Sequence, residues 1–508
     1  MLREVHLING LHGFSLLTGF LAGALALYRI YLVIYNLYLH PLAKVPGPKL
    51  YAASNIPYSV GLCKGTIWFD IKRFHDQYGP VVRYAPNDVS FTTVDAWKEI
   101  YGHKKWNDPN FPKDRRLYRE GKTDTASILV ADDADHSRVR RLISHAFSEK
   151  ALRGQEGIMQ SYVSLLIRRL QAHATSSNPV VDMNKWYNFT TFDLIGDLAF
   201  GEPFGCLESE GYHPWVAMIF GGFKLSAFNQ ARKRFPWLMP ATKYLLPSKL
   251  TQAQIEHFSL SFSKARQRAM GGFKYREDFM SYILRHNGED GRGMTPDEIG
   301  ENSNILIVAG SETTASLLTG TTYYLLKNPE CLQLLTTEIR STFEKEDDIN
   351  LVSVGQLKYL LACLDEGLRL YPPVPSALGR DVPKGGHYIE GYFIPEQTTV
   401  AVVHWPTYHS ERNFHLADEF RPDRWLGDPD FASDNKEVLQ PFHVGPRNCL
   451  GKNLAYAEMR LILCRTLWNF DLELQSDSEN WTDQLIFNFW QKGPLNVKLI
   501  PRSPGAKE

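Results

Sequence analysis

The chain is short of several things, and each shortage removes a class of protein. Six cysteines, Cys63, Cys206, Cys331, Cys363, Cys449 and Cys464, are scattered through 508 residues without a C-x-x-C pair, which excludes a zinc ribbon and a dense disulfide framework. Neither sign of charge is in surplus, since 56 Lys+Arg balance 56 Asp+Glu. That excludes a broadly basic nucleic-acid binder and an acidic, solvating chain. There is no repeat, no long low-complexity tract and no G-x-G-x-x-G fingerprint, so no dinucleotide or flavin domain is indicated. Length admits roughly three domains at about 150 residues each, or one large one. What is left is a large, neutral, intracellular globular enzyme, and its 12% aromatic content fits an apolar cavity or a membrane contact.

Long apolar runs are confined to the N-terminus. Residues 11–27 (LHGFSLLTGFLAGALAL) and 30–39 are nearly free of charge, and together they exceed the ~20 residues that cross a bilayer at 1.5 Å per residue. Arg29 interrupts them and is tolerable near a helix end, where its stem reaches the headgroups. Tyr28, Tyr31, Tyr35 and Tyr38 recur at helical spacing, as in an interfacial belt. A cleaved secretory signal is the rival reading, and the length of the run and the lack of a small-residue cleavage site oppose it. Lys44, Lys49 and Lys64 follow the span whereas Arg3 is offset by Glu4, so the body is expected on the cytosolic side. Val45-Pro46-Gly47-Pro48 stiffens the exit and reads as a hinge. Sequons at Asn188 and Asn480 are therefore expected to be unused.

Helical patterns dominate the rest, with strand-like runs near residues 80–94 and 387–403. One helix is marked at both ends: Thr295-Pro296-Asp297-Glu298 is a capping box with proline at the first helical position, and Pro329 closes it, giving about 30 residues, near 45 Å. Residues 305–309 are apolar on every side, as in a helix through a core. Ala309-Gly310-Ser311-Glu312-Thr313-Thr314 follows. Glycine weakens the helix there and the acid sits where desolvation is costly, so the turn reads either as locally opened to hold water, a proton donor and substrate, or as an acid paired with a basic residue elsewhere.

Residues 356–373 (QLKYLLACLDEGLRLYPP) form an amphipathic helix with Glu366 and Arg369 three apart on one face, a pair worth little if it lies on the surface. The sharpest signal is Phe442-His443-Val444-Gly445-Pro446-Arg447-Asn448-Cys449-Leu450-Gly451. A Gly-Pro loop places Cys449 at a helix start, two residues after Arg447, where dipole and guanidinium favour thiolate. Such a thiolate is a nucleophile or a metal ligand, and no histidine stands out as the partner a cysteine hydrolase needs.

These segments together resemble the cytochrome P450 family of haem-thiolate monooxygenases along nearly the whole chain. The haem loop F-x-x-G-x-R-x-C-x-G runs over residues 442–451 without departure, E-x-x-R is Glu366 and Arg369 with Arg424 as the partner arginine, and the helix motif small-G-x-acid-T-T is residues 309–314. The family's W-x-x-x-R has His136 in the tryptophan position and Arg140 as the arginine. The resemblance implies a mainly α fold with a small β region and haem b between a long central helix and the cysteine loop, as a catalytic domain at 51–508 behind a hinge at 41–50 and a transmembrane anchor at 1–40.

By the same resemblance Cys449 is the axial ligand of the haem iron. Phe442, Gly445, Arg447, Gly451, His136, Arg140, Arg380, Ala309 and Gly310 contact the cofactor, and Arg447 and Arg380 are candidates for its propionates. Glu312 and Thr313 organise water and deliver protons, while Glu366, Arg369 and Arg424 are structural. Electrons come from NADPH–cytochrome P450 reductase, with cytochrome b5 as a second donor, and Arg138, Arg140, Arg141 and Lys452 are candidates for the docking face. The implied reaction inserts one atom of O2 into a lipophilic small molecule at the endoplasmic reticulum membrane. Residues 200–250 are expected at a membrane-facing entrance, and substrate contacts near 115–130, 305–309, 374–378 and 487–489. The segment ADDADHSRVRRLISHAFS is similar to fungal members that tailor terpenoids, polyketides or alkaloids. A haem-thiolate isomerase or dehydratase would not need Glu312-Thr313, and a non-catalytic membrane-anchored binding protein would need neither that pair nor the haem loop.

Overall fold

The computed structural model describes residues 2–105, 108–118, 125–239, 259–260, 262–270, 278–287 and 293–502. Parts of two expected substrate-contact stretches, 115–130 and 200–250, lie outside the described residues. The fold is built on long helices, with four small sheets set around them.

The apolar N-terminus is one helix, Leu2–Ile34, continued by a wider turn over Tyr35–Leu39. Its 24-residue stretch Leu16–Leu39 is uncovered by the rest of the chain and is about 36 Å long at 1.5 Å per residue, enough to span roughly 30 Å of hydrocarbon. The stretch at 41–50, expected as a hinge, is fastened to the body. Leu42 and Val45 are buried, and the Arg83 amide donates to Pro46 O at 2.7 Å. Buried Arg83 also donates through Nη1 to Asn36 O at 2.8 Å, so one guanidinium ties the anchor's end to the first sheet. That sheet runs Val81–Ala85, Asp88–Phe91, Thr399–Val402, Arg380–Asp381. Asp88–Phe91 and Thr399–Val402 are parallel with Val89 opposite Val400, which brings chain segments some 300 residues apart into one layer.

The central helix, Pro296–Lys327, forms because its start is chemically marked. Thr295 Oγ1 accepts from the Glu298 amide at 3.2 Å and Glu298 Oε2 accepts from the Thr295 amide at 2.7 Å, closing the capping box. Helix Met183–Phe200 is buried almost along its length beside it. Tyr187 and Thr322 hydroxyls meet at 2.9 Å, and Gly310 allows the close approach, since a Cβ there would stand 2.7 Å from Ile195 Cδ1. The helix is unbroken through residues 309–314, so the locally opened turn expected from the sequence is not formed. Ser311 and Thr313 hydroxyls donate to the Ile307 and Ala309 carbonyls, each at 2.6 Å, keeping polar atoms within the helix. Lys358–Leu370 and Lys452–Asn469 pack on the same axis, one carrying Glu366 and Arg369, the other following the cysteine loop.

Candidate functional site

The cysteine loop is held by its own backbone. Cys449 N donates to Phe442 O at 2.8 Å, Asn448 N to Gly445 O at 3.1 Å, and Ala455 N to Gly451 O at 2.8 Å, which starts the next helix. Gly445 has φ 75°, and a Cβ there would lie 1.9 Å from Tyr101 O, so only glycine fits. Gly451 is different: its backbone is ordinary, but a Cβ would stand 4.0 Å from Cys449 Sγ, beside whatever the sulfur binds. The sulfur side chain is exposed within a half-buried loop. Burial pushes the Cys449 thiol up, and the Gly451 amide, Arg140 and Lys452 pull the other way. The cations that bear on sulfur are thus Arg140 and Lys452, not the sequence neighbour Arg447. Arg140 braces the loop directly, donating to Asn448 O at 2.8 Å and to Asn448 Oδ1 at 2.5 Å. Phe442 packs its ring on Tyr456 at 5.3 Å.

Beside the loop lies a cluster of basic groups. Arg447 turns to Asp133 at 2.8 Å and to Ala131 O at 2.8 Å, and its Nη1 has no partner. Arg380 reaches Phe111 O at 3.4 Å, and its buried Nε is also unpartnered. Lys113, which sequence reasoning passed over, has its ammonium pushed well below the usual range by burial and by Arg380 and Arg447. His136 is lowered to about 4 by burial, then by Arg447, Lys113 and Arg140, so it stays neutral. Asp133 is the one carboxylate bearing on Lys113, His136 and Arg380 among the described residues. A buried site with this surplus of donors fits a ligand carrying carboxylates.

On the central helix, Ala309 is exposed and Ile305 and Thr313 are half-buried, while Ile307, Ser311, Glu312 and Thr314 are buried. Ile305, Ala309 and Thr313, four apart, therefore make an uncovered stripe. Glu312 is not on it. Its Oε1 accepts from Lys492 Nζ at 2.7 Å and from Ser316 Oγ at 3.2 Å, and Lys492 also donates to Ser316 at 2.7 Å. Glu312 Oε2 is buried without a partner. Of the two alternatives the sequence left open, the acid is paired, and its partner comes from the C-terminal end of a hairpin, 180 residues on. Lys492 lines a cavity of about 540 Å³ together with Tyr212, Phe223, Phe487, Phe489 and Trp490, and Phe223 stacks on Phe489 at 4.4 Å.

Glu366 and Arg369 are fully buried, not on a surface. Glu366 Oε1 and Oε2 receive Arg369 at 2.8 and 2.9 Å, Arg424 Nε at 3.0 Å, the Arg421 amide at 2.9 Å and the Trp425 indole at 2.9 Å. Arg424 also pairs with Asp434. None of these groups is left for chemistry. Arg138, one of the expected docking cations, is committed to Asp135 and Glu298, whereas Arg141 is exposed.

The donors match haem b: a cysteine sulfur for the iron, unpartnered guanidinium nitrogens for two propionates, and a glycine keeping space beside the sulfur. Comparison with known proteins agrees. The family model for cytochrome P450 matches residues 46–494. The chain is 44% identical over 483 residues to cytochrome P450 monooxygenase efuB of Hormonema carpetanum, covering 94% of this chain and 96% of that protein. It is 45% identical over 483 residues to cytochrome P450 monooxygenase astA of Talaromyces wortmannii, covering 95% and 97%, and 43% identical over 487 residues to averantin hydroxylase of Dothistroma septosporum, covering 95% and 91%.

Proposed function

The chain belongs to the cytochrome P450 family, and from that premise we propose how its own residues serve the haem-dependent monooxygenation of a small molecule. Haem b, when bound, supplies the redox chemistry that splits dioxygen. Cys449 Sγ is the axial ligand, with Arg140 and Lys452 offsetting its negative charge. Arg447, Arg380 and Lys113 hold the propionates, with His136 as a neutral neighbour. Thr313 donates its proton to Ala309 O, leaving its Oγ1 lone pairs to accept from water on the uncovered stripe and to pass a proton on by rotation. Glu312, gripped by Lys492 and Ser316 one residue behind, keeps a buried acid between that hydroxyl and the cavity lined by Lys492. Ile305 and Ala309 present apolar surface, which suits a lipophilic substrate and sheds water from it.

The reaction needs an external electron donor, and we assign that role to NADPH–cytochrome P450 reductase, with cytochrome b5 as a second donor. The anchor places the body on the cytosolic face of the endoplasmic reticulum. Relatives include an averantin hydroxylase, so the substrate class proposed is an aromatic or otherwise lipophilic secondary metabolite, taken up by hydroxylation. The observation that carries this reading is the uncovered Cys449 sulfur next to an unsatisfied basic cluster. The test is the absorbance of reduced, carbon-monoxide-bound protein: wild type should show the strongly red-shifted Soret band and Cys449→Ala should lose it. Survival of the band in Cys449→Ala would falsify the ligand assignment.

A further inference from the structure

One buried acid is used by nothing described above. Glu458 lies on Lys452–Asn469, the helix that starts at the cysteine loop, and is 2% exposed. Its Oε1 has no hydrogen-bond partner, and its one recorded polar neighbour is the Thr314 hydroxyl of the central helix. Other buried acids nearby are answered by charge, Glu366 by two arginines and Glu312 by a lysine. No charged group bears on Glu458 among the described residues, and burial pushes its carboxyl up to about 8, so it keeps its proton at neutral pH. A half-satisfied buried carboxyl is a poor choice for stability, because leucine would fill the same space without the desolvation cost.

Its contact explains what it is kept for. Ser311, Thr313 and Thr319 return their hydroxyls to carbonyls of their own helix, whereas Thr314 faces across to Glu458. Thr314 is also the residue after Thr313. We infer that Glu458 is a positioning residue: through its hydrogen bond to Thr314 it fixes the turn that carries Thr313 against the helix that begins at Cys449, and so sets where the Thr313 hydroxyl stands relative to the sulfur. This rests on the proton-handling role proposed for Thr313.

Glu458→Gln keeps size, neutrality and hydrogen bonding, and Glu458→Leu keeps size only. Both are compared with wild type and Thr313→Ala as full-length holoprotein in lipid. Two quantities are read: the infrared C–O stretch of the reduced carbon-monoxide complex, which reports the polar groups near the bound gas, and the share of NADPH electrons released as peroxide with reductase present. We expect Glu458→Leu to keep the red-shifted Soret band, move its C–O stretch toward that of Thr313→Ala, and raise the peroxide share roughly fivefold, the scale of a small misplacement, while Glu458→Gln matches wild type. If Glu458→Leu leaves both readouts at wild type while Thr313→Ala shifts them, the inference is overturned and the Thr313 reading stands. A Thr313→Ala protein indistinguishable from wild type overturns that reading itself. A Gln variant as impaired as Leu also sinks the inference. Should Glu458→Leu fail to bind haem, Thr314→Val removes the same bond from the other side and is judged by the same two readouts.

Discussion

Glu366 shows how far one side chain's meaning depends on where it is buried. It receives two arginines, an indole and a backbone amide, and Glu366→Gln would leave two buried guanidinia short of a counter-charge. Breaking such a pair costs about 3–5 kcal/mol, so the variant should lose folded, haem-loaded protein, read as the haem-to-protein absorbance ratio. Thr313→Ala is a contrasting change: the half-buried hydroxyl carries no packing load, so haem spectrum and melting point should hold while peroxide release rises at the expense of product. At Glu458 the expectation is in pH. Its carboxyl is raised from 4.5 to about 8 in the folded chain, so between those values the folded state holds a proton that the unfolded state has lost. Stability from this group is therefore lost as pH rises, by up to about 1.4 kcal/mol per unit. Glu458→Gln lacks that slope, and its melting point should gain on wild type from the low to the high end of the window; equal slopes would contradict the proton assignment.

Among the elements, the cysteine loop and the central helix were the most legible in sequence, because their signals are local. A Gly-Pro turn, a cysteine and a capping box act over a few residues, and local chemistry dictates local backbone. Gly445 marks the limit of that legibility. Its need for φ 75° is a loop property, but the 1.9 Å approach to Tyr101 O comes from a helix over 340 residues earlier. Gly445→Ala should therefore fail on both counts, giving little haem-loaded protein, whereas Gly451→Ala, with no atom nearer than 3.9 Å, should fold and show a perturbed Soret band. Gly310 was read as a weak point and is a packing point, since the same missing Cβ admits Ile195. A sequence shows that a side chain is missing, not what occupies its space.

For the molecule as a whole, charge balance conceals local imbalance. The 56 and 56 charges cancel overall, yet Lys113, Arg140, Arg380 and Arg447 gather around a single exposed acid, Asp133. Arg138, read as part of a docking face, is spent on Glu298 and Asp135, which leaves exposed Arg141 as the better probe of reductase docking. Arg141→Glu should slow reduction by reductase at low salt, less so as salt screens the contact, with the carbon-monoxide spectrum unchanged. Equal reduction rates at low salt would remove Arg141 from the docking face.

The sequence by itself determined the class of the protein: an apolar run long enough to span, a marked central helix, one cysteine in a glycine-proline loop and an acid three residues before an arginine. These are short-range signals, readable from spacing and propensity. Only the tertiary structure decided who answers whom. That Glu312 belongs to Lys492, that Arg83 holds the anchor's end, that Arg140 and Lys452 rather than Arg447 bear on Cys449, and that Glu458 meets Thr314 are contacts across 36 to 309 or more residues of chain. The reason is physical: the cost of burying a charge is set by the neighbours that folding brings to it, and those neighbours have no fixed address in the sequence.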